Sequence, residues 1–149
     1  MKIVLFLVPA LLITIIPAYA DFHEEMVKFM PSVDNFDENW DFTQIQGFKD
    51  LELDWSTEKP DGLIQRFVFT DEIDQTKMIN TVSIYDFTTS DVSSGIYEEY
   101  VSTLLENDYP VAPIDRSLQK DCFATMINQG QDNEKTSITC KNSKYIIIS

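Results

Sequence analysis

Ile79-Asn-Thr-Val-Ser-Ile-Tyr-Asp-Phe87 runs through Thr88-Thr-Ser-Asp91 into a stretch where Val92, Ile96, Tyr97, Tyr100, Val101, Leu104 and Leu105 recur at three- and four-residue spacing. The first nine residues are mostly β-branched, aromatic or small polar, with neither Gly nor Pro, and predict a strand. Thr88 to Asp91 supply side-chain oxygens for the free N–H groups of a helix start, with Ser90 as the expected N-cap. The apolar stripe that follows is one side of a helix; Glu98, Glu99, Ser102, Thr103 and Glu106 form the other. Asn107, Asp108 and the Tyr109-Pro110 pair end it, because a residue before proline is pushed out of the α region. A strand feeding a long one-sided helix implies a helix laid across a sheet.

On either side the pattern is that of strands. Lys59-Pro-Asp-Gly62 reads as a turn with Gly62 at positive φ, and residues 63–70 as a strand that forms a hairpin with the one at residue 79. Both faces of this hairpin carry apolar groups (Phe67, Phe69, Val82, Ile84, Tyr85, Phe87). The long helix is expected on one face and part of the N-terminal segment on the other. Residues 109–115 hold two prolines and read as an extended connection. Residues 121–128, 136–141 and 145–149 form a three-stranded meander, its last turn at Asn142-Ser143. In that register Cys122 opposes Cys140, Ala124 opposes Ile138 and Met126 opposes Thr136, with Tyr145 and Ile147 beside Cys140 and Ile138. Two cysteines on neighbouring strands of an exported chain read as a disulfide, Cys122 with Cys140.

Before the hairpin the chain is acidic and aromatic. Residues 21–30 place Phe22, Met26 and Phe29 or Met30 at helical spacing, a short helix ended by Pro31. Nine acids and two lysines lie between residues 32 and 61, interleaved with Phe36, Trp40, Phe42 and Phe48, a segment expected to fold back as a loop. Leu51, Leu53 and Trp55 alternate with Glu52 and Asp54 as a half-buried strand. The predicted fold class is α+β: an antiparallel sheet of about five to six strands, one long helix packed across it, and a short N-terminal helix.

At the start, Lys2, an apolar run over residues 3–16, and Pro17-Ala18-Tyr19-Ala20 have the layout of a signal peptide, so residues 1–20 are expected to be removed and 21–149 to form one domain. Within it, residues 21–60 are the acidic N-terminal segment, and 61–149 hold hairpin, helix and meander. The apolar run is shorter than the roughly 20 residues that cross a bilayer, so no stable membrane anchor is expected after cleavage. The chain of 149 residues carries 25 acidic and 11 basic side chains, a net charge of -14. That balance argues against nucleic acid as a partner, since phosphate binding needs a basic surface.

The residues permit little catalysis. His23 is the single histidine, the cysteines are assigned to a bridge, and no nucleophile elbow, zinc motif or Gly-rich phosphate loop is present. A non-catalytic module binding a protein or small-molecule ligand is the expectation, with a pocket lined by Tyr97, Tyr100 and Phe67 or Phe69. Two alternatives carry chemistry. One is a small carboxylate-dependent hydrolase. The other is copper: cleavage after Ala20 frees an amine on Asp21, and that amine, the amides of Phe22 and His23 and the His23 imidazole can close a square around Cu(II). His23, Met26 and Met30 share a helix side that suits Cu(I). The Asn35, Asp37, Asn39, Asp41 spacing resembles a calcium loop, but Trp40 stands where the turn wants Gly, and Gln46 where a bidentate Glu is needed.

Overall fold

A computed structural model describes residues 24–32, 36, 39–43, 45–71, 73, 75–130 and 134–149. The two longest strands, β3 (Asp61–Thr70) and β4 (Lys77–Asp86), form the predicted hairpin, paired along all ten residues from Asp61↔Asp86 to Thr70↔Lys77. The other strands are β1 (Trp40–Phe42), β2 (Gln46–Phe48), β5 (Cys122–Ile127), β6 (Lys135–Asn142) and β7 (Tyr145–Ile148), and the helices are α1 (Glu24–Val27) and α2 (Ser90–Glu106). All pair antiparallel in one seven-stranded sheet of order β1-β3-β4-β7-β6-β5, with β2 also along the β3 edge. The α+β class stands; the sheet has seven strands where five to six were expected.

The two extra strands come from the acidic segment. Residues 40–42 and 46–48 have the sequence pattern of a loop, yet both lie on β3, because its even-numbered residues turn their main-chain groups to that edge; Thr70 N–H donates to Asn39 O at 3.0 Å. Conversely, residues 51–55 form no strand. Leu53 makes only an isolated bridge to Ser56. Their alternation has a different cause: Leu51, Leu53 and Trp55 turn inward as a turn packed over the sheet.

The sheet buries both faces. On one, Met26, Leu63, Phe67, Val82, Ile84 and Tyr145 form a core closed by Phe29, Met30, Phe36, Trp40, Phe42 and Ile45 of the N-terminal segment. Phe36 stacks on Phe67 at 5.3 Å between ring centroids. On the other, Tyr85, Phe87, Ile96 and Ile146 are covered by α2 and by Leu51, Leu53 and Trp55. This is the predicted division, helix to one face and N-terminal segment to the other. Each fully buried large side chain contributes about 1.5–3 kcal/mol.

α2 starts at Ser90, one residue earlier than expected. Thr89, not Ser90, is the N-cap, its extended backbone (φ -143°) letting Oγ1 accept from Val92 N–H at 3.2 Å. Ser93 is fully buried and its hydroxyl donates to Ser143 O at 2.6 Å, which ties the first turn of α2 to the turn between β6 and β7. Of the expected apolar stripe, Leu105 is 49 % exposed.

The meander holds its predicted register between β5 and β6: Cys122↔Cys140, Ala124↔Ile138, Met126↔Thr136. The sulfurs of Cys122 and Cys140 are 2.06 Å apart, the distance of a disulfide. The last turn is at Ser143-Lys144 instead of Asn142-Ser143, with Ser143 at φ 54°, so Cys140 pairs with Ile147 and not with Tyr145. A slip of two residues leaves every side chain on its expected face, since side chains alternate with period two. Gly62 also departs from its reading. It lies inside β3 without positive φ, and a Cβ there would sit 2.6 Å from Leu51 Cδ1 and 3.3 Å from Ile84 O, so close approach explains the glycine.

Candidate functional site

β4 and β6 both outrun the short strand between them. β7 pairs with β4 only over Ser83–Asp86 and with β6 only over Thr139–Asn142, and Ser149 adds a last pair of main-chain bonds to Ile138. Past that point residues 77–81 of β4 and 135–137 of β6 face each other with no strand between them among the described residues. The result is an open slot of about 410 Å³, lined by Met78, Ile79, Asn80, Thr81, Lys135, Thr136 and Ser137 together with Trp40, Ile148 and Ser149.

Alternation along the strands says which main-chain groups face the slot. Phe87 N–H donates to Lys144 O and Asp71 N–H to Thr76 O, so odd residues of β4 turn toward β7 and even ones toward β3. Ile138 exchanges both bonds with Ser149 while Lys141 N–H donates to Asp121 O, so even residues of β6 turn toward β7. Ile79, Thr81 and Thr136 therefore aim N–H and C=O into the slot. The Thr81 N–H is met by its neighbour's side chain, Asn80 Oδ1 at 2.8 Å. Met78 and Ile79 of β4 are 59 % and 64 % exposed.

The expected aromatic pocket does not form. Phe67 belongs to the N-terminal core, and Phe69 lies at 5.4 Å from Trp40, whereas Tyr100 meets Trp55 at 4.9 Å on the helix face. Phe67 and Tyr100 are on opposite sides of the sheet. Burial pushes the hydroxyls of Tyr85, Tyr97 and Tyr100 above the ordinary tyrosine range, as packed core residues require.

Of the copper candidates, Met26 is 1 % exposed within the core and Met30 packs against it, while Asp21, Phe22 and His23 lie outside the described residues. Asn35 and Asp37 of the calcium spacing also lie outside them. Trp40 is in β1 opposite Phe69, and Asp41 is exposed. A second hollow is lined by four carboxylates, Asp50, Glu58, Asp61 and Asp86, and two lysines, Lys59 and Lys144. Asp61 Oδ1 accepts from Asp50 N–H, and Lys144 Nζ pairs with Asp86 Oδ2 at 2.8 Å, which raises the lysine's pKa. Among the described residues no helix is long and apolar enough to cross a membrane.

Comparison with protein-family models, with curated proteins and with solved structures finds no match for this chain.

Proposed function

We propose that this chain is an exported, non-catalytic binding module whose ligand enters the slot between β4 and β6. The observation that supports it is a concave site lined by β4 and β6 among the described residues, with main-chain donors and acceptors directed into it and exposed apolar side chains at its rim. The sequence adds that a nucleophile with a base has no candidate beyond His23 and that both cysteines stand at disulfide distance. Export rests on the signal-like residues 1–20, and mass spectrometry of native protein should find Asp21 first; an intact Met1 would contradict it.

The test is a fragment and peptide screen read by amide chemical shifts. A ligand of the slot moves the signals of Ile79, Thr81 and Thr136, and Ser137→Trp, which fills the slot, removes its effect while the fold is kept. Binders that act only elsewhere would sink the reading. Turnover of glycan or ester substrates by the same preparation would return it to the carboxylate-dependent hydrolase.

A second proposal, copper at a mature N-terminus through Asp21, Phe22 and His23, is supported by the order of those residues behind Ala20. Titration with Cu(II) should raise a violet amide-nitrogen band that His23→Ala abolishes. An unchanged band in that variant ends the proposal.

A further inference from the structure

The connection that follows α2 keeps to the outer edge of β5 only briefly. Val111 bridges Thr125, Met126 N–H donates to Pro110 O at 2.8 Å, and Ala112 N–H donates to Ala124 O at 2.9 Å. After Ala112 the chain swings off the strand. A turn over residues 115–121 brings it back, and there Leu118 O takes the Cys122 N–H at 2.9 Å. The wedge opened in this way is a hollow of about 420 Å³, with Ala112, Pro113 and Ile114 from the connection and Cys122 and Ala124 from β5.

One main-chain donor in the wedge has lost its partner. Lys141 N–H donates to Asp121 O, so odd residues of β5 turn toward β6 and even ones toward the connection. Across an antiparallel pair whose main chains face each other, two bonds are exchanged, one in each direction. Ala112 N–H supplies its half. The return bond from Ala124 N–H finds no acceptor among the described residues, which here run unbroken from 75 to 130. Ala124 is 1 % exposed and Ala112 5 %, so this donor is shielded from bulk water. Buried amides in folded proteins almost always have an acceptor, and a ligand can bring one.

The remaining lining says what carries that acceptor. Its side chains are apolar apart from Gln119, and none is charged. Such walls favour an apolar body, whereas an ionised group would give up its water without a counter-ion. Gln119 Nε2 reaches Ile114 O over 3.4 Å, a long bond that leaves the carboxamide able to turn toward a ligand.

We propose that this wedge binds a compact, uncharged apolar molecule with one carbonyl group, such as a small ketone, ester or lactone, whose oxygen accepts from Ala124 N–H. At the packing density of a protein interior the space takes roughly a dozen non-hydrogen atoms. The site is separate from the slot between β4 and β6. It lies at the Cys122 end of β5, so either site can fail without the other.

The test titrates the intact protein with benzylacetone, read by amide and methyl chemical shifts. Butylbenzene, the same body without the oxygen, and hydrocinnamate, the same shape with a charge, are the comparisons. Benzylacetone should move the Ala124 amide proton downfield, shift the Ala112 and Ile114 methyls, and at saturation slow Ala124 exchange about tenfold. Butylbenzene should shift the methyls alone, with about fivefold weaker affinity. Hydrocinnamate should bind at least about tenfold more weakly than the ketone. Ala112→Leu, which fills the wedge, should abolish the methyl and amide shifts; where that variant does not fold, Gln119→Trp at the exposed rim should diminish them. Ile79 and Thr136 report the slot and should stay still. An Ala124 amide that benzylacetone leaves unmoved overturns the proposal. Equal affinity for butylbenzene overturns the carbonyl, and hydrocinnamate binding as tightly as the ketone overturns the uncharged class.

Discussion

Cys122 and Cys140 are direct partners across β5 and β6, with Cα atoms 4.0 Å apart and sulfurs at bonding distance. They close a loop of sequence separation 18 and hold the edge strand β5 to the sheet. Thiol counting on denatured native protein should find none free. The double replacement of Cys122 and Cys140 by Ala should cost about 3 kcal/mol by the chain-entropy estimate, read from urea unfolding. Two free thiols would remove the bridge.

Two glycines should respond to alanine with opposite signs. Gly95 lies on the exposed side of α2 with nothing within 4 Å of a built Cβ, so Gly95→Ala should stabilise by about 1 kcal/mol through helix propensity. Gly62→Ala drives a methyl against Leu51 and the Ile84 carbonyl and should destabilise by roughly 1–3 kcal/mol. Thermal unfolding of the pair decides it; equal shifts would contradict the packing of residues 51–55 over the sheet.

Stability should fall on the alkaline side. Tyr85, Tyr97 and Tyr100 have pKa values raised by burial, and Lys144 is raised by its bond to Asp86. A group with a raised folded pKa contributes fully below its unfolded value, about 10 for tyrosine, and loses that contribution as pH climbs through the folded value. Urea midpoints should therefore decline from about pH 10 upward. Tyr85→Phe should flatten part of that decline, and an unaltered slope would contradict its burial.

Phe67→Ala should destabilise by about 3–5 kcal/mol, because the ring is 1 % exposed and contacts Phe36 and Phe42. Since those partners belong to the N-terminal segment, deleting residues 21–45 should expose the same surface and raise binding of a hydrophobic dye. No rise would mean that the segment does not cover that face.

Much of the fold was legible where one local rule sufficed. Val92, Ile96 and Tyr97 set the helix, and Cys122, Ala124 and Met126 set a register because alternate residues must share a buried face. Where two rules gave the same local pattern, the reading failed. Leu51, Leu53 and Trp55 alternate as a strand would, yet long-range packing on Tyr85 and its neighbours fixes them as a turn; Trp40 and Phe42 have the pattern of loop aromatics because their partners, Phe69 and Phe67, are far away in sequence. The slot was invisible for the same reason. Its lining comes from β4 and β6, which meet around it only once β7 is known to lie between them.

Hydrogen exchange of individual amides in the free protein tests the break in the sheet most directly. Ile138 N–H donates to Ser149 O at 2.8 Å and should exchange slowly, while Ile79 and Thr136, whose amides face the slot, should exchange at least about a hundredfold faster. Protection of Thr136 equal to that of Ile138 would mean that the space between β4 and β6 is already bridged, and the binding site described here would not exist.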